Sequence, residues 1–516
     1  MVRPSDAAEV KADVADSTPL NQGTTVRHLR RLGLGLGPAL FLLLEFSCRE
    51  RGWPLAAAHL ASVAGLMAAW WLTEAVPIPV TSLVPLVLFP LLGISSGTET
   101  ARQYADPIIF LFIGGFILAA AIQRSGLHRR LALGIVGRLG VEPRRLVLGF
   151  MLATALVAMW VSNTATAMLM LPIALAVILH LSDHGTRPEV TLQLGPPLLL
   201  GVAYASSIGG MGTVLGTPPN LILAGFLRRT TGLELGFLRW LEFGLPLIVV
   251  FLPAAWWILC RYAGEKPLGS LRLELRDAEG YLASAKAALG PMSPAERRVG
   301  LVFLVTVLAW VTRQPIDLEV LILPGWSQLP GLEAAFLHDS TVAMTAAVAL
   351  FLLPDGEGRR LLDWPTAVSA IPWGTVLLFG GGFALAAGFS SSGLADLLGA
   401  MLGQLTALPP WLIVLVVCVF MTFLTELTSN TATATMVLPV LAATEQGLGL
   451  PPSTLLLPAT LSASCAFMLP VATPPNAIVF GSGLIPMGTM ARVGLILNLV
   501  GVFLIGGLSL LRSTSW

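Results

Sequence analysis

Apolar runs close to bilayer-spanning length recur along the whole chain, and this recurrence restricts the fold more than any other feature. They lie at 32–48, 55–72, 82–92, 107–122, 243–260, 299–311, 341–353, 373–389 and 491–511. A spanning helix needs about 20 residues, so the shorter runs must extend into their flanks. Hydrocarbon offers no partner to an exposed peptide group, so a chain crossing it is confined to helices or a closed barrel. Runs of this length read as helices. Composition agrees: 55% of the 516 residues are hydrophobic and only 11% charged, where a soluble domain carries about 25% charged. The net charge of +1 gives no electrostatic footprint for nucleic acid.

Residues 1–31 read as a disordered cytoplasmic tail. Its first two dozen residues are polar and mixed in charge, and they lack the apolar core of a signal peptide. A second hydrophilic stretch, 264–298, reads as a linker carrying an amphipathic helix. It separates an N-terminal half, 32–263, from a C-terminal half, 299–516.

The halves repeat one another. Gly114-Gly115-Phe116 matches Gly381-Gly382-Phe383, and Ser125-Gly126-Leu127 matches Ser392-Gly393-Leu394. Ser162-Asn163-Thr164-Ala165-Thr166-Ala167 matches Ser429-Asn430-Thr431-Ala432-Thr433-Ala434, and Thr217-Pro218-Pro219-Asn220 matches Thr473-Pro474-Pro475-Asn476. Four matches in one order exclude chance. Residues 124–145 hold Arg124, Arg129, Arg130, Arg138, Arg144 and Arg145, whereas the matching segment 391–412 holds no Lys or Arg. Positive charge favours the cytoplasmic side, so equivalent segments are expected on opposite faces, as in an inverted repeat. Arg27, Arg30 and Arg31 place the N-terminus inside. Eleven spans, with the linker inside and the C-terminus outside, satisfy the pattern. The expected fold is an all-α polytopic membrane protein with two re-entrant helical hairpins.

Helix-breaking polar residues are costly in hydrocarbon, and here they come in matched pairs. Each S-N-T sits between two apolar runs, as suits the tip of a hairpin that enters the membrane and turns back. Each P-P interrupts an apolar run, since proline cannot continue a helix from upstream. A broken helix exposes carbonyls at one end, which suit a small cation, and N–H groups at the other, which suit an anion. Ser, Thr and Asn add donors and acceptors without a buried fixed charge. Two tips and two breaks are therefore expected to converge around one small anion.

These motifs resemble the divalent anion–sodium symporter family, which includes sodium–dicarboxylate and sodium–citrate transporters. Trp71-Leu72-Thr73-Glu74-Ala75-Val76-Pro77, Leu289-Gly290-Pro291-Met292-Ser293 and Asp339-Ser340-Thr341-Val342-Ala343 are similar to its signatures. The resemblance covers nearly everything after the tail. It implies an eleven-span homodimer in the plasma membrane, working as an elevator and carrying succinate, malate or fumarate with sodium. It implies Asn163, Thr164, Thr217, Ser429, Asn430, Thr431 and Thr473 as substrate contacts. It implies one sodium site at Ser162, Asn163 and Gly216, and another at Ser429, Asn430 and Ala472. Some sodium-coupled members carry a hydroxyl four positions before the motif Ser. The second half has Thr425 there, and the first has Ala158. Relatives that exchange dicarboxylates without sodium, or carry citrate or sulfate on the same fold, are the alternatives.

Other residue groups point elsewhere less well. Glu74, Asp339 and Glu426 are candidate proton-coupling acids, with helix-end placement beside a polar partner as the preferred reading. Trp70, Trp71, Trp256, Trp257 and Trp373 suit interfacial anchoring. Cys48, Cys260, Cys418 and Cys465 form no C-x-x-C and read as structural thiols. No H-E-x-x-H appears, no apolar run carries paired aspartates, and the one G-x-S-x-G match, Gly93-Ile94-Ser95-Ser96-Gly97, stands alone, so an embedded enzyme has little to support it. A channel would conduct without saturation or a coupling ion.

Overall fold

The computed structural model describes residues 20–512 except 141, 184–187, 265, 269–275, 318–321 and 403–408. Most of the expected tail and part of the linker, including Arg272 and Glu274, lie outside the described residues. The chain is a multi-pass, all-helical membrane protein with one two-residue antiparallel strand pairing.

In the first half, α1 (Leu20–Glu50) and α2 (Leu55–Thr73) pack along each other. Helix α1 starts inside the stretch expected to be tail, so residues 20–31 are helical. Next come α3 (Ile78–Thr81), α4 (Val84–Leu91), α5 (Gly97–Arg102), α6 (Pro107–Ser125) and α7 (Leu127–Leu139). The run at 82–92 is thus not one continuous span. Pro85 has no N–H to bond Thr81, and its ring would clash with the Thr81 carbonyl, so α3 stops at Thr81. Then follow α8 (Pro143–Ala158), α9 (Asn163–Asp183), α10 (Pro188–Gly210), α11 (Pro218–Thr231) and α12 (Phe237–Tyr262).

Within the linker lies α13 (Arg276–Ala287), and α14 (Pro294–Val311) leads to strands β1 (Ile316–Asp317) and β2 (Ile322–Leu323). The second half continues with α15 (Asp339–Leu352), α16 (Trp364–Ala370), α17 (Trp373–Ser391), α18 (Leu394–Leu402), α19 (Pro410–Thr425) and α20 (Asn430–Leu448). It ends with α21 (Leu456–Ser462), α22 (Pro474–Phe480) and α23 (Met487–Arg512).

Six helices among the described residues are long and apolar enough to cross a membrane, and four shorter apolar ones accompany them. Their outward surfaces are apolar. Leu301, Leu304, Val305 and Leu308 of α14 are all exposed, at the spacing of one helix face, while Val299, Thr306 and Trp310 are buried. Water would penalise that stripe, and lipid does not.

Matched sequences adopt matched local structure. Helix α6 is capped by Asp106, whose side chain accepts from the Ile108 N–H at 2.8 Å, and it ends at Gly126 with φ 81°. Gly393, the equivalent of Gly126, also has positive φ, 75°. Each repeat also leans on the other half. A Cβ on Gly114 would stand 2.9 Å from the Ala343 backbone of α15, and one on Gly381 2.6 Å from the Ser82 carbonyl just after α3. Glycine at both positions allows helices from opposite halves to touch.

Candidate ligand site at the helix breaks

Both S-N-T motifs lie where one helix stops and the next begins. Ala158 ends α8 and Asn163 opens α9; Thr425 ends α19 and Asn430 opens α20. Ser162 and Ser429 immediately precede the new helices, and their carbonyls accept from Thr166 and Thr433 at 2.9 and 2.8 Å. The Ser162 hydroxyl also accepts the Ala165 N–H at 3.3 Å. Serine suits this place because its side chain can satisfy a free N–H of the first turn. Ser162, Asn163, Thr164, Ser429, Asn430 and Thr431 are all half-buried.

The T-P-P-N motifs restart the broken helices. Thr217 and Thr473 are N-caps with nearly equal backbone angles (φ −145°, ψ 144° and φ −141°, ψ 148°), each followed by two prolines in the first helical turn. The asparagines then tie the two parts of each break together. Asn220 Nδ2 donates to the carbonyls of Gly210 (3.1 Å) and Thr213 (2.8 Å). Asn476 Nδ2 donates to Ala466 and Leu469, both at 3.0 Å. Both asparagines are fully buried, so each amide occupies carbonyls that would otherwise be orphaned. The matched carbonyls are also bonded from outside: Met211 O accepts from Trp240 Nε1 (2.9 Å), and Phe467 O from the Tyr204 hydroxyl (2.8 Å).

Tip and break meet within each half. Asn163 lies against Gly210, where a Cβ would be 2.6 Å from Asn163 Oδ1, and a Cβ on Gly216 would be 2.4 Å from Gly210 O. This brings Asn163 and Gly216 to one place. In the second half the Thr425 hydroxyl reaches Asn430 Oδ1 (2.7 Å) and the Ala463 carbonyl (2.9 Å). Ala472 and Thr473 are buried at the end of the same break. The two halves differ at the hydroxyl. Ala158 gives Asn163 nothing equivalent, and Asn163 Oδ1 is buried without a hydrogen-bond partner among the described residues. No hydrogen bond among the described residues joins the first tip to the second. They are linked by exchanged packing: α9 on α22, and α20 on α11.

Several contributors were not read as site residues from sequence. Asn220 and Asn476 were visible as the last letter of T-P-P-N. Asn498 was visible as a polar residue midway along the apolar run 491–511, between Arg492 and Ser509. Thr213, whose hydroxyl donates to Met159 O at 2.5 Å, carried no signal. The three candidate acids all have local partners. Glu74 caps α2 in a left-handed conformation and pairs with Arg30 at 3.3 Å. Asp339 opens α15, pairs with Arg313 at 2.5 Å and accepts the Phe237 N–H at 3.0 Å. Glu426 is buried among N–H donors. Beside Asp339, in a connecting loop, His338 bonds Glu234 and holds its carboxyl below the usual range.

Comparison with known proteins places this geometry. Residues 37–513 match the family model described as the sodium:sulfate symporter transmembrane region. The sodium-dependent dicarboxylate transporter SdcS of Staphylococcus saprophyticus is 42% identical over 480 residues, covering 92% of this chain and 89% of its own. SdcS of Staphylococcus aureus strain USA300 is 41% identical over 483 residues, with the same coverages of 92% and 89%. Among solved structures, the Alcanivorax borkumensis YdaH transporter is similar in fold, with TM-score 0.53 at 14% identity over 82% of this chain and 90% of that one. The chain is a membrane transporter, not an enzyme, and it belongs to the sodium:sulfate symporter family, the divalent anion–sodium symporters that its motifs resemble.

Proposed function

We propose that this protein is a sodium-coupled symporter of small dicarboxylates such as succinate, malate and fumarate. The observation that carries the reading is the pair of S-N-T tips, each opening a helix and each held beside a broken helix from its own half. Helices α9 and α20 begin at Asn163 and Asn430, so free N–H groups and the positive helix ends lie at the tips. Asn163, Thr164, Asn430 and Thr431 add neutral donors, with Thr217, Ser429 and Thr473 beside them. Two equivalent tips suit two carboxylates. Neither motif contains Lys or Arg, so cations at Ser162, Asn163 and Gly216, and at Thr425, Ser429, Asn430 and Ala472, offset the substrate charge. The named relatives support both the substrate class and the ion.

The same reading takes the halves as inverted repeats, the N-terminus as cytoplasmic and the C-terminus as external. It takes the molecule as a homodimer whose tips and breaks move together as an elevator. The experiment is counterflow of labelled succinate into liposomes holding the purified protein, with sodium or choline as the cation. Sodium-dependent, saturable exchange is expected. Lactate should compete poorly, because it leaves one set of buried donors unpaired at about 1–3 kcal/mol, or roughly ten- to hundredfold in affinity. Equal rates in choline would favour sodium-independent exchange, the second reading, which Ala158 supports. Strong competition by sulfate or citrate would move the substrate class.

A further inference from the structure

The two breaks satisfy their backbone N–H groups differently. In the first half the N–H groups of Met211 and Gly212 stay within helical turns, donating to Ile208 and Gly209. In the second half the matching N–H groups of Phe467 and Met468, together with that of Leu469, leave the helix. All three donate to the Glu426 carboxylate, at 2.7, 2.8 and 3.1 Å. Asn498 of α23 donates to it as well, at 2.7 Å. The first half has Met159 in the place of Glu426. Glu426 is 3% exposed, and among the described residues no cationic side chain pairs with it. Every one of these partners is an N–H donor, so the carboxyl oxygens are directed at this segment and at α23.

The segment it grips carries the second candidate cation site. Ala463 O, which accepts from Thr425, lies just before Phe467, and Ala472 lies just after Leu469. Thr425 itself adjoins Glu426. With the Asn476 amide on Ala466 O and Leu469 O and the Tyr204 hydroxyl on Phe467 O, the carboxylate accounts for most of the polar backbone from 463 to 469.

We propose that Glu426 is a positioning residue for the second cation: its carboxylate fixes the unwound segment so that the Ala463 and Ala472 backbone faces Thr425 and Asn430. The inference rests on the symport reading above and deepens it by naming what sets one ion's affinity. Glu445 supplies an internal contrast. It is also buried, and it accepts from Ser453 (3.2 Å), Leu455 and Leu456 (3.1 Å) at the opposite end of α21. It caps the N-terminus of α21 and lies away from the break.

The test uses full-length protein in liposomes and compares the parent with Glu426→Gln, Asn498→Ala and Glu445→Gln. Sodium activation of succinate uptake is measured together with hydrogen exchange of the 463–473 backbone. Glutamine replaces one accepting oxygen by an NH2 group, which predicts a half-saturating sodium concentration about tenfold higher or more in Glu426→Gln, with maximal uptake within about threefold of the parent. Asn498→Ala should shift the same way by less and carries the test if Glu426→Gln does not fold. Exchange at 463–473 should accelerate in both. Glu445→Gln should lower thermal stability and leave the sodium curve in place. An unchanged sodium curve in both Glu426→Gln and Asn498→Ala overturns the proposal, as does an equal shift in Glu445→Gln. If the parent takes up succinate equally without sodium, the symport reading falls separately. Exchange then decides for Glu426, and unaltered exchange at 463–473 in Glu426→Gln overturns its positioning role.

Discussion

Single side chains decide how the two halves differ. Thr425 gives Asn430 Oδ1 a hydroxyl donor, while Ala158 leaves Asn163 Oδ1 without a partner. Truncating Thr425 to Ala should therefore make the second half resemble the first. The half-saturating sodium concentration should rise about tenfold, for a lost hydrogen bond worth about 1 kcal/mol or more. Ala158→Ser makes the reverse change, adding one oxygen where Asn163 lacks a donor, and should lower the sodium requirement. Sodium titrations of uptake read both, and opposite shifts are the expected pattern. The asparagines of T-P-P-N are more structural. Asn220→Ala or Asn476→Ala orphans two buried carbonyls, at about 1–3 kcal/mol each. Each should lower the unfolding temperature in detergent and abolish uptake. Stability equal to the parent's would remove the stapling role. The S-N-T and T-P-P-N positions were legible in the sequence because they are polar, paired and set in apolar runs. The staple itself was not, since nothing in a sequence says which carbonyl an amide reaches across ten residues.

Elements followed the apolar pattern wherever caps and prolines agreed with it. The apolar run at 107–122 gave the start of α6 at Pro107 and stopped three residues short of its end at Ser125. The run at 82–92 misled because its hydropathy is continuous while Pro85 interrupts the hydrogen-bond ladder, and α1 reached back to Leu20 through a stretch too polar to read as a span. The linker end was also partly legible. Ser293 and Glu296 form a capping box on α14, with reciprocal bonds at 3.1 and 2.7 Å. Arg130 of α7 cannot be foreseen there, since it arrives from 160 residues away. It bonds Glu296 at 2.8 and 3.0 Å and the carbonyls of Leu289, Gly290 and Pro291. These bonds hold the Glu296 carboxyl below its usual range. A carboxyl depressed by folding stabilises fully above its unfolded pKa, about 4.3, and that contribution fades as pH falls through the lower folded value. The parent should lose stability on acidification below about pH 4, and Glu296→Gln should flatten part of that fall. Thermal unfolding at pH 7 and pH 3.5 tests it; identical pH dependence in parent and variant would detach Glu296 from acid stability.

At the scale of the whole molecule, the halves hold one another by exchange. Helix α9 packs on α22 and α20 on α11, while Gly114 meets Ala343 and Gly381 meets the Ser82 backbone. The internal sequence repeat could announce two equivalent halves, but not that each completes its contacts on the other, because packing between distant segments leaves no periodic trace. The proposed inversion depends on charge alone. Arg129 and Asp396 occupy equivalent positions, just after Gly126 and Gly393, and both are exposed. If equivalent segments lie on opposite faces, Arg129 meets the cytoplasm and Asp396 the outside, as the arginine content of 124–145 against 391–412 requires. Arg129→Cys and Asp396→Cys, each in a chain whose four native cysteines are replaced, would be treated with a membrane-impermeant maleimide on intact cells and then on inside-out vesicles. Cys48, Cys260, Cys418 and Cys465 are all buried and unpaired, so their replacement by small residues removes background without opening a disulfide. The label is expected at position 396 on cells and at 129 on vesicles. Labelling of both from one side would make the halves parallel repeats. The two tips would then enter from the same face, and a single site lined by both could not open alternately to the two sides by the motion proposed here.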